Sequence, residues 1–328
     1  MKRILAVVLA STLAFSANIA GAKDKAPADL KFPTKDITYL VPYSAGGSSD
    51  QMARAMVNYA KKYLGVNLII ENVGGGGGNV GLVKFAGYKP DGHSVVSANT
   101  SMNLQPIYGT TQYDYLDILE PIALTVSIPI AIAVPKESPY KTIEELIAAA
   151  KAKPGSIQYG HAGVGSITHV TAELFAMEAG IKMEQVPFGS GNDALTALMG
   201  NHINVNVAAL SEVLGHHKSG TLRILAMCTN KKVENIPTLI SKGYNVDMKV
   251  TQGISTLKKV DPRIVKFLDE GFGKIINDKD YQKDLTALGM EIDYLNAADF
   301  GAFLKKQRAT FTKVVNESGI AAMVKSKQ

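Results

Sequence analysis

Three short stretches of this 328-residue chain set small residues directly ahead of an expected helix start. They are Ser44-Ala45-Gly46-Gly47-Ser48, Gly163-Val164-Gly165-Ser166 and Gly189-Ser190-Gly191-Asn192. The first N–H groups of a helix have no intrahelical partner, and the helix dipole adds positive potential there, so such junctions attract anions. Glycine lets a ligand approach the backbone closely. None of the three stretches carries Lys or Arg. A polyphosphate would therefore be poorly neutralised, whereas a carboxylate needs only one or two N–H groups and a hydroxyl. One such loop reads as an ordinary turn and cap. Three of them, at alternate strand-to-helix junctions, point to a site.

Other chemistries fit less well. Ser166-x-x-His169 invites a nucleophile and base, but both fall in one helical turn and no G-x-S-x-G elbow surrounds them. Ser166 is expected to cap its helix and His169 to brace the loop. The six histidines form no H-E-x-x-H or Cys/His set, so no metal is expected. Gly76-Gly77-Gly78-Asn79-Val80-Gly81 satisfies G-x-G-x-x-G behind an expected strand at Leu68–Glu71. The acid a dinucleotide site places about 20 residues further on is missing from Ser97–Ser101. No cofactor is expected.

The elements that must hold the loops alternate. Ile37–Val41, Val66–Glu71 and Ser94–Ser97 read as strands, with helices from Ser48 and from Asn79 to Ala86 between them. Ser48-x-x-Gln51 reads as a capping box, with Met52, Met56, Ala60 and Tyr63 on one face. Extended runs at Ile122–Val126 and Ile130–Val134 flank Pro129, and Thr142-x-x-Glu145 caps a further helix. The alternation then restarts with strands at Ile157–Tyr159, Glu184–Val186 and Ile203–Val207, followed by one at Leu222–Met227. A strand near Val250–Ile254 and helices at Pro262–Ile276, Lys279–Leu288 and Ala297–Val324 complete the chain. The predicted class is α/β: two lobes, each a mixed, mostly parallel sheet flanked by helices, joined by two crossing strands.

Composition narrows the setting. Lys2-Arg3, the apolar Ile4–Phe15 and Ala20-Gly21-Ala22 read as a signal peptide cleaved after Ala22, which predicts a periplasmic protein. The formal charge of +6 falls to +4 without Lys2 and Arg3, there is no Trp, and the basic residues are scattered. Nucleic-acid binding is not expected. The single Cys228 cannot form an internal disulfide. The expected organisation is a signal peptide over 1–22, a leader over 23–34, lobe one over 35–127 plus 248–328, and lobe two over 128–247.

VPYSAGGSSDQMAR (41–54) resembles the first signature of the periplasmic receptors of tripartite tricarboxylate transporters, the Bordetella uptake gene type. The resemblance continues in order through ENVGGGGGNVG, KPDGHSVV, YGHAGVGSITHVTAELF, VPFGSGNDALTALMGNHINV, SGTLRILAM and IPTLISKGY. It implies a two-lobed, type II periplasmic binding protein that closes on a small organic carboxylate and delivers it to a membrane permease, a binding protein and not an enzyme, expected as a monomer. By resemblance the ligand residues are Tyr43, Ser44, Ala45, Gly46 and Gly47, then Asn99, Thr100 and Ser101 in lobe one. In lobe two they are Gly163, Gly165, Ser166, Phe188, Gly189, Ser190 and Ala208, with Asp50 and His169 bracing loops. Phe188-Gly189-Ser190 stands where relatives commonly carry Tyr-Lys-Gly, so a cation is lost, and Ala208-Ala209 stands where many carry Asp-Asn. With Ser211-Glu212-Val213-Leu214 this looks closer to the tricarboxylate branch than to the amino-acid branch. The glycine run is implied to serve mainly the fold of lobe one. A ligand-presenting sensor for a membrane kinase and a periplasmic hydrolase remain as alternatives.

Overall fold

The computed structural model describes residues 31–318 and 320–326. The expected signal peptide, its cleavage point and most of the leader lie outside the described residues. The strands in chain order are β1 (Ile37–Val41), β2 (Leu68–Asn72), β3 (Ser94–Asn99), β4 (Leu119–Pro135), β5 (Gln158–His161), β6 (Glu184–Pro187), β7 (Val205–Ala209), β8 (Leu222–Met227), β9 (Lys249–Leu257) and β10 (Glu291–Leu295).

They fall into two halves of one design. In the first, β1 lies between β2 and β3, all parallel, and β3 pairs antiparallel with β9. In the second, β5 lies between β6 and β7, all parallel, and β7 pairs antiparallel with β4. Helices return the chain between the parallel strands, as such connections require.

The two extended runs expected around Pro129 are one 17-residue strand, β4. Its Leu119–Pro129 portion pairs with β9, and its Ile130–Pro135 portion with β7 and β8. A proline within a strand loses a ladder donor, yet Pro129 sits at the end of the β9 pairing, opposite Lys249, where the strand passes from one sheet to the other. Every β4 residue from Ile122 to Val134 is buried, which explains a sequence apolar there at all positions but Thr125 and Ser127. The helix Ala297–Ser318 packs on β4 in the first half. Its Arg308 forks onto Asp114 at 2.6 and 2.9 Å and donates to the Asn103 carbonyl. The C-terminal third thus completes the first half: Phe300 and Leu304 join Leu40, Val96, Ala98 and Leu124 in its core.

Local chemistry matched the sequence unevenly. Thr142 and Glu145 form the expected capping box. Ser48 and Gln51 do not: the helix is Ser48–Leu64, its N-cap is Gly47, and no side chain of its own caps it. The reach expected for a single helix over Ala297–Val324 holds two, Ala297–Ser318 and Ile320–Ser326.

Candidate binding site

The strand ends of both halves point their following helices at one cavity of about 30 Å³, space for one or two water molecules. From the first half come Tyr43, Gly47, Ser48 and Ser49 after β1, Asn99 and Ser101 after β3, and Val250 and Gln252 of β9. From the second come Ala162, Ser166, Ile167 and Thr168 after β5, Ser190 and Gly191 after β6, and Ala209 and Glu212 after β7. The helices Ser48–Leu64, Ile167–Ala179, Gly191–Met199 and Leu210–Lys218 therefore all begin at the cavity. Among the described residues no Lys, Arg or His lines it, and no His, Cys, Asp and Glu cluster could hold a metal ion.

The lining hydroxyls are anchored by backbone N–H groups, and Ser166 Oγ also lies 3.1 Å from Thr168 Oγ1. Ser166 Oγ accepts from His169 N at 3.3 Å and Ser190 Oγ from Asp193 N at 3.1 Å, each capping its own helix. Ser101 Oγ accepts from Ile167 N at 3.1 Å, a contact between the halves. A hydroxyl that accepts one bond still has a proton to donate.

Two lining groups are acceptors. Glu212 Oε1 accepts from Ser48 N at 2.8 Å and Oε2 from Ala209 N at 3.1 Å. This carboxylate of the second half supplies the cap that Ser48 was expected to supply to its own helix. Burial pushes its pKa up to about 7, against the pull of those N–H groups, and the Asp193 charge adds to the rise. Gln252 Nε2 donates to Ser48 Oγ at 2.9 Å, and Gln252 Oε1 is buried without a hydrogen-bond partner.

The residues named from the sequence divide. Tyr43, Gly47, Asn99, Ser101, Ser166 and Ser190 line the cavity; Ala208 does not, although Ala209 does. Gly163, Phe188 and Gly189 instead line a neighbouring groove with Gly75, Gly76 and Gln105. Ser44 N donates to Gly189 O at 3.3 Å between the halves. Ala45 is exposed, and Gly46 N donates to Asp50 at 2.8 Å. Thr100 Oγ1 is engaged with Thr251. Gly165 N donates to His169 Nδ1 at 3.1 Å, and the Gly165 α-carbon faces the Tyr108 ring. Asp50 also accepts from Arg54 and Asn72. Burial would raise its pKa, but the bonds from Arg54, Gly46 and Asn72 hold it below the ordinary value.

The glycine run meets the second half. A Cβ on Gly163 would lie 2.5 Å from Gly77 N, and one on Gly77, where φ is +62°, would lie 2.7 Å from Val164 O. Gly74 faces Ser44 and the Gly189 carbonyl. The run packs within the first half and also abuts the second, more than the fold role expected of it.

The family model described as tripartite tricarboxylate transporter family receptor matches residues 52–320. A Cupriavidus necator protein described as "UPF0065 protein in gbd 5'region" is 30% identical over 303 residues, covering 90% of this chain and 92% of that one. The structure of the periplasmic binding protein BugD superposes with a TM-score of 0.84 at 24% identity, over 88% of this chain and 99% of BugD. Two Rhodopseudomonas palustris proteins share the fold. Rpa4515, solved with adipate, has a TM-score of 0.83 at 22% identity over 88% of this chain and 98% of its own. MatC, solved with bound malate, has a TM-score of 0.81 at 21% identity over 87% and 100%. The fold is that of two-lobed periplasmic binding proteins.

Proposed function

Because this chain belongs to the family of tripartite tricarboxylate transporter receptors, we propose that it captures a small organic carboxylate in the cavity between its two halves and hands it to a membrane permease. The carrying observation is the convergence of four helix starts from both halves on one buried cavity whose lining has no cation. Backbone N–H groups and the Ser101, Ser166 and Ser190 hydroxyls would hold the carboxylate, each charge-assisted bond contributing about 1.5–3 kcal/mol. The adipate and malate held by relatives of the same fold support that ligand class. The cavity is too small for such a ligand as it stands, so capture requires the halves to part and close again. Only a ligand that binds the closed form better can drive that closure.

Lobe one comprises residues 35–127 and 248–328, and lobe two 128–247, boundaries supported by the change of partners along β4. The protein works as a periplasmic monomer, exported by the segment ending at Ala22. No helix among the described residues is long and apolar enough to cross a membrane. Binding without turnover is supported by the engagement of Ser166 and His169: the hydroxyl meets Thr168 Oγ1 and His169 N, while the ring accepts from Gly165 N. A thermal-shift screen against mono-, di- and tricarboxylates tests the proposal. A true ligand at 100 times its Kd stabilises by about 2.7 kcal/mol. Stabilisation by sugars or polyamines with none by carboxylates would overturn it.

A further inference from the structure

The cavity lining offers two kinds of group, and a bare carboxylate satisfies only one of them. Its donors are N–H groups and serine hydroxyls. Its acceptor is the buried Glu212 carboxyl, and the lining residue Gln252 holds its Oε1 buried beside it in the same wall. The orientation of Gln252 follows from a chain of bonds. The Ser48 hydroxyl faces the Glu212 carboxyl, which can only accept when ionised, so Ser48 Oγ donates there and accepts from Gln252 Nε2. Gln252 Oε1 is then left without a partner. A buried polar group without a partner is uncommon and costly. Among the described residues no cation balances Glu212: its charged neighbour in the second half is Asp193, and Tyr43 faces it from the first. When Glu212 is ionised, a ligand bringing only negative charge would set a second carboxylate beside it and leave Gln252 unpaired.

We propose that the ligand carries a hydrogen-bond donor, an ammonium or a hydroxyl, close to its carboxylate, and that Glu212 and Gln252 receive that donor. This rests on the carboxylate reading above and narrows it. Glu212 is then the residue that separates donor-bearing carboxylates from plain ones. Charge balance favours the ammonium, since a zwitterion gives the carboxylate to the helix starts and its cation to Glu212.

The test uses matched skeletons on the intact mature chain: succinate, malate and aspartate, and propionate, lactate and alanine. Within each set only hydrogen, hydroxyl and ammonium differ at one carbon. Calorimetric Kd values at neutral pH should favour a donor-bearing member of at least one set by about tenfold or more over its plain counterpart. The ammonium member leading identifies a cationic donor, and the hydroxyl member a neutral one. Glu212→Gln should reduce the preference at least several-fold while plain carboxylates hold or gain affinity. Gln252→Met should reduce it in the same direction if Glu212→Gln does not fold. Plain members binding as well as or better than both donor-bearing ones would overturn this inference and leave the carboxylate reading standing. No binding by any of the six, with a larger plain di- or tricarboxylate such as adipate bound instead, would overturn this inference alone; no carboxylate bound at all would overturn both.

Discussion

The helix after β1 and the helix after β5 occupy equivalent places, each leaving the middle strand of a parallel triple through a glycine-rich loop. They solve the problem of their free N–H groups differently. Ser166 caps the second-half helix from within its own chain segment. The first-half helix has Gly47 at that position and takes its cap from Glu212, 164 residues away in sequence and in the opposite half. One start stays satisfied however the halves move. The other keeps its protein cap only while they touch, so its N–H groups are given to water or ligand on opening. The same secondary structure thus serves as a fixed wall on one side and a conditional contact on the other.

The contact is most sharply broken at Gly77. Gly77→Ala should weaken carboxylate binding by tenfold or more, because the new Cβ would lie 2.7 Å from Val164 O of the opposite half, besides crowding Gln105 in its own. Its neighbour is the control. Gly76 also has positive φ, but a Cβ there would meet nothing closer than Asn79 Cβ at 3.5 Å. Gly76→Ala should cost about 1 kcal/mol of stability and leave the Kd unchanged. Equal losses of affinity in the two variants, measured by calorimetry, would remove the distinction.

The conditional cap also predicts a pH dependence. Burial raises Glu212 in the folded protein to about 7, above its ordinary value. The folded chain therefore holds a proton that the unfolded chain releases more readily. Stability from this group is complete below the ordinary glutamate range and is lost as pH rises through about 7. The melting temperature should fall more steeply from pH 5 to about pH 8 in the native protein than in Glu212→Gln. Parallel profiles would show that Glu212 does not titrate there.

The fixed wall is tested at its cap. Ser166→Ala should cost about 1 kcal/mol by loss of its cap, and about tenfold in carboxylate affinity by loss of its hydroxyl. Ser48→Ala should cost at least as much in stability, because it leaves Gln252 Nε2 buried without its acceptor. Denaturant melts of the two variants decide the order.

Much of this wall was legible. Ser166 and Ser190 stand directly before apolar helical repeats, and a cap is a pattern of adjacent residues. Thr142 with Glu145 was readable for the same reason. Glu212 was not, because a cap supplied across 164 residues leaves no mark on local spacing. It entered the sequence reading only within Ser211-Glu212-Val213-Leu214. Gln252 was hidden inside a buried strand where Thr251 and Gly253 flank it and no local spacing marks it out. The strand Glu291–Leu295 was missed although Glu291, Ile292, Asp293 and Tyr294 alternate polar and apolar, because so short a run between two helices also reads as a connection. Pro129 suggested a break that the fold does not make: a proline is tolerated where a strand changes sheets, and sequence spacing cannot show that exchange.

The unbroken course of β4 has a mechanical consequence. Seventeen extended residues span roughly 55 Å, and hydrogen bonds fasten this rod into both halves. A rod pinned at both ends neither stretches nor slides; it flexes. Small angular changes near Pro129 would then become large displacements at the far rims, as with a pair of tongs. Stiffness at that one point, set by the β4–β9 ladder, would govern how fast the jaws sample solution.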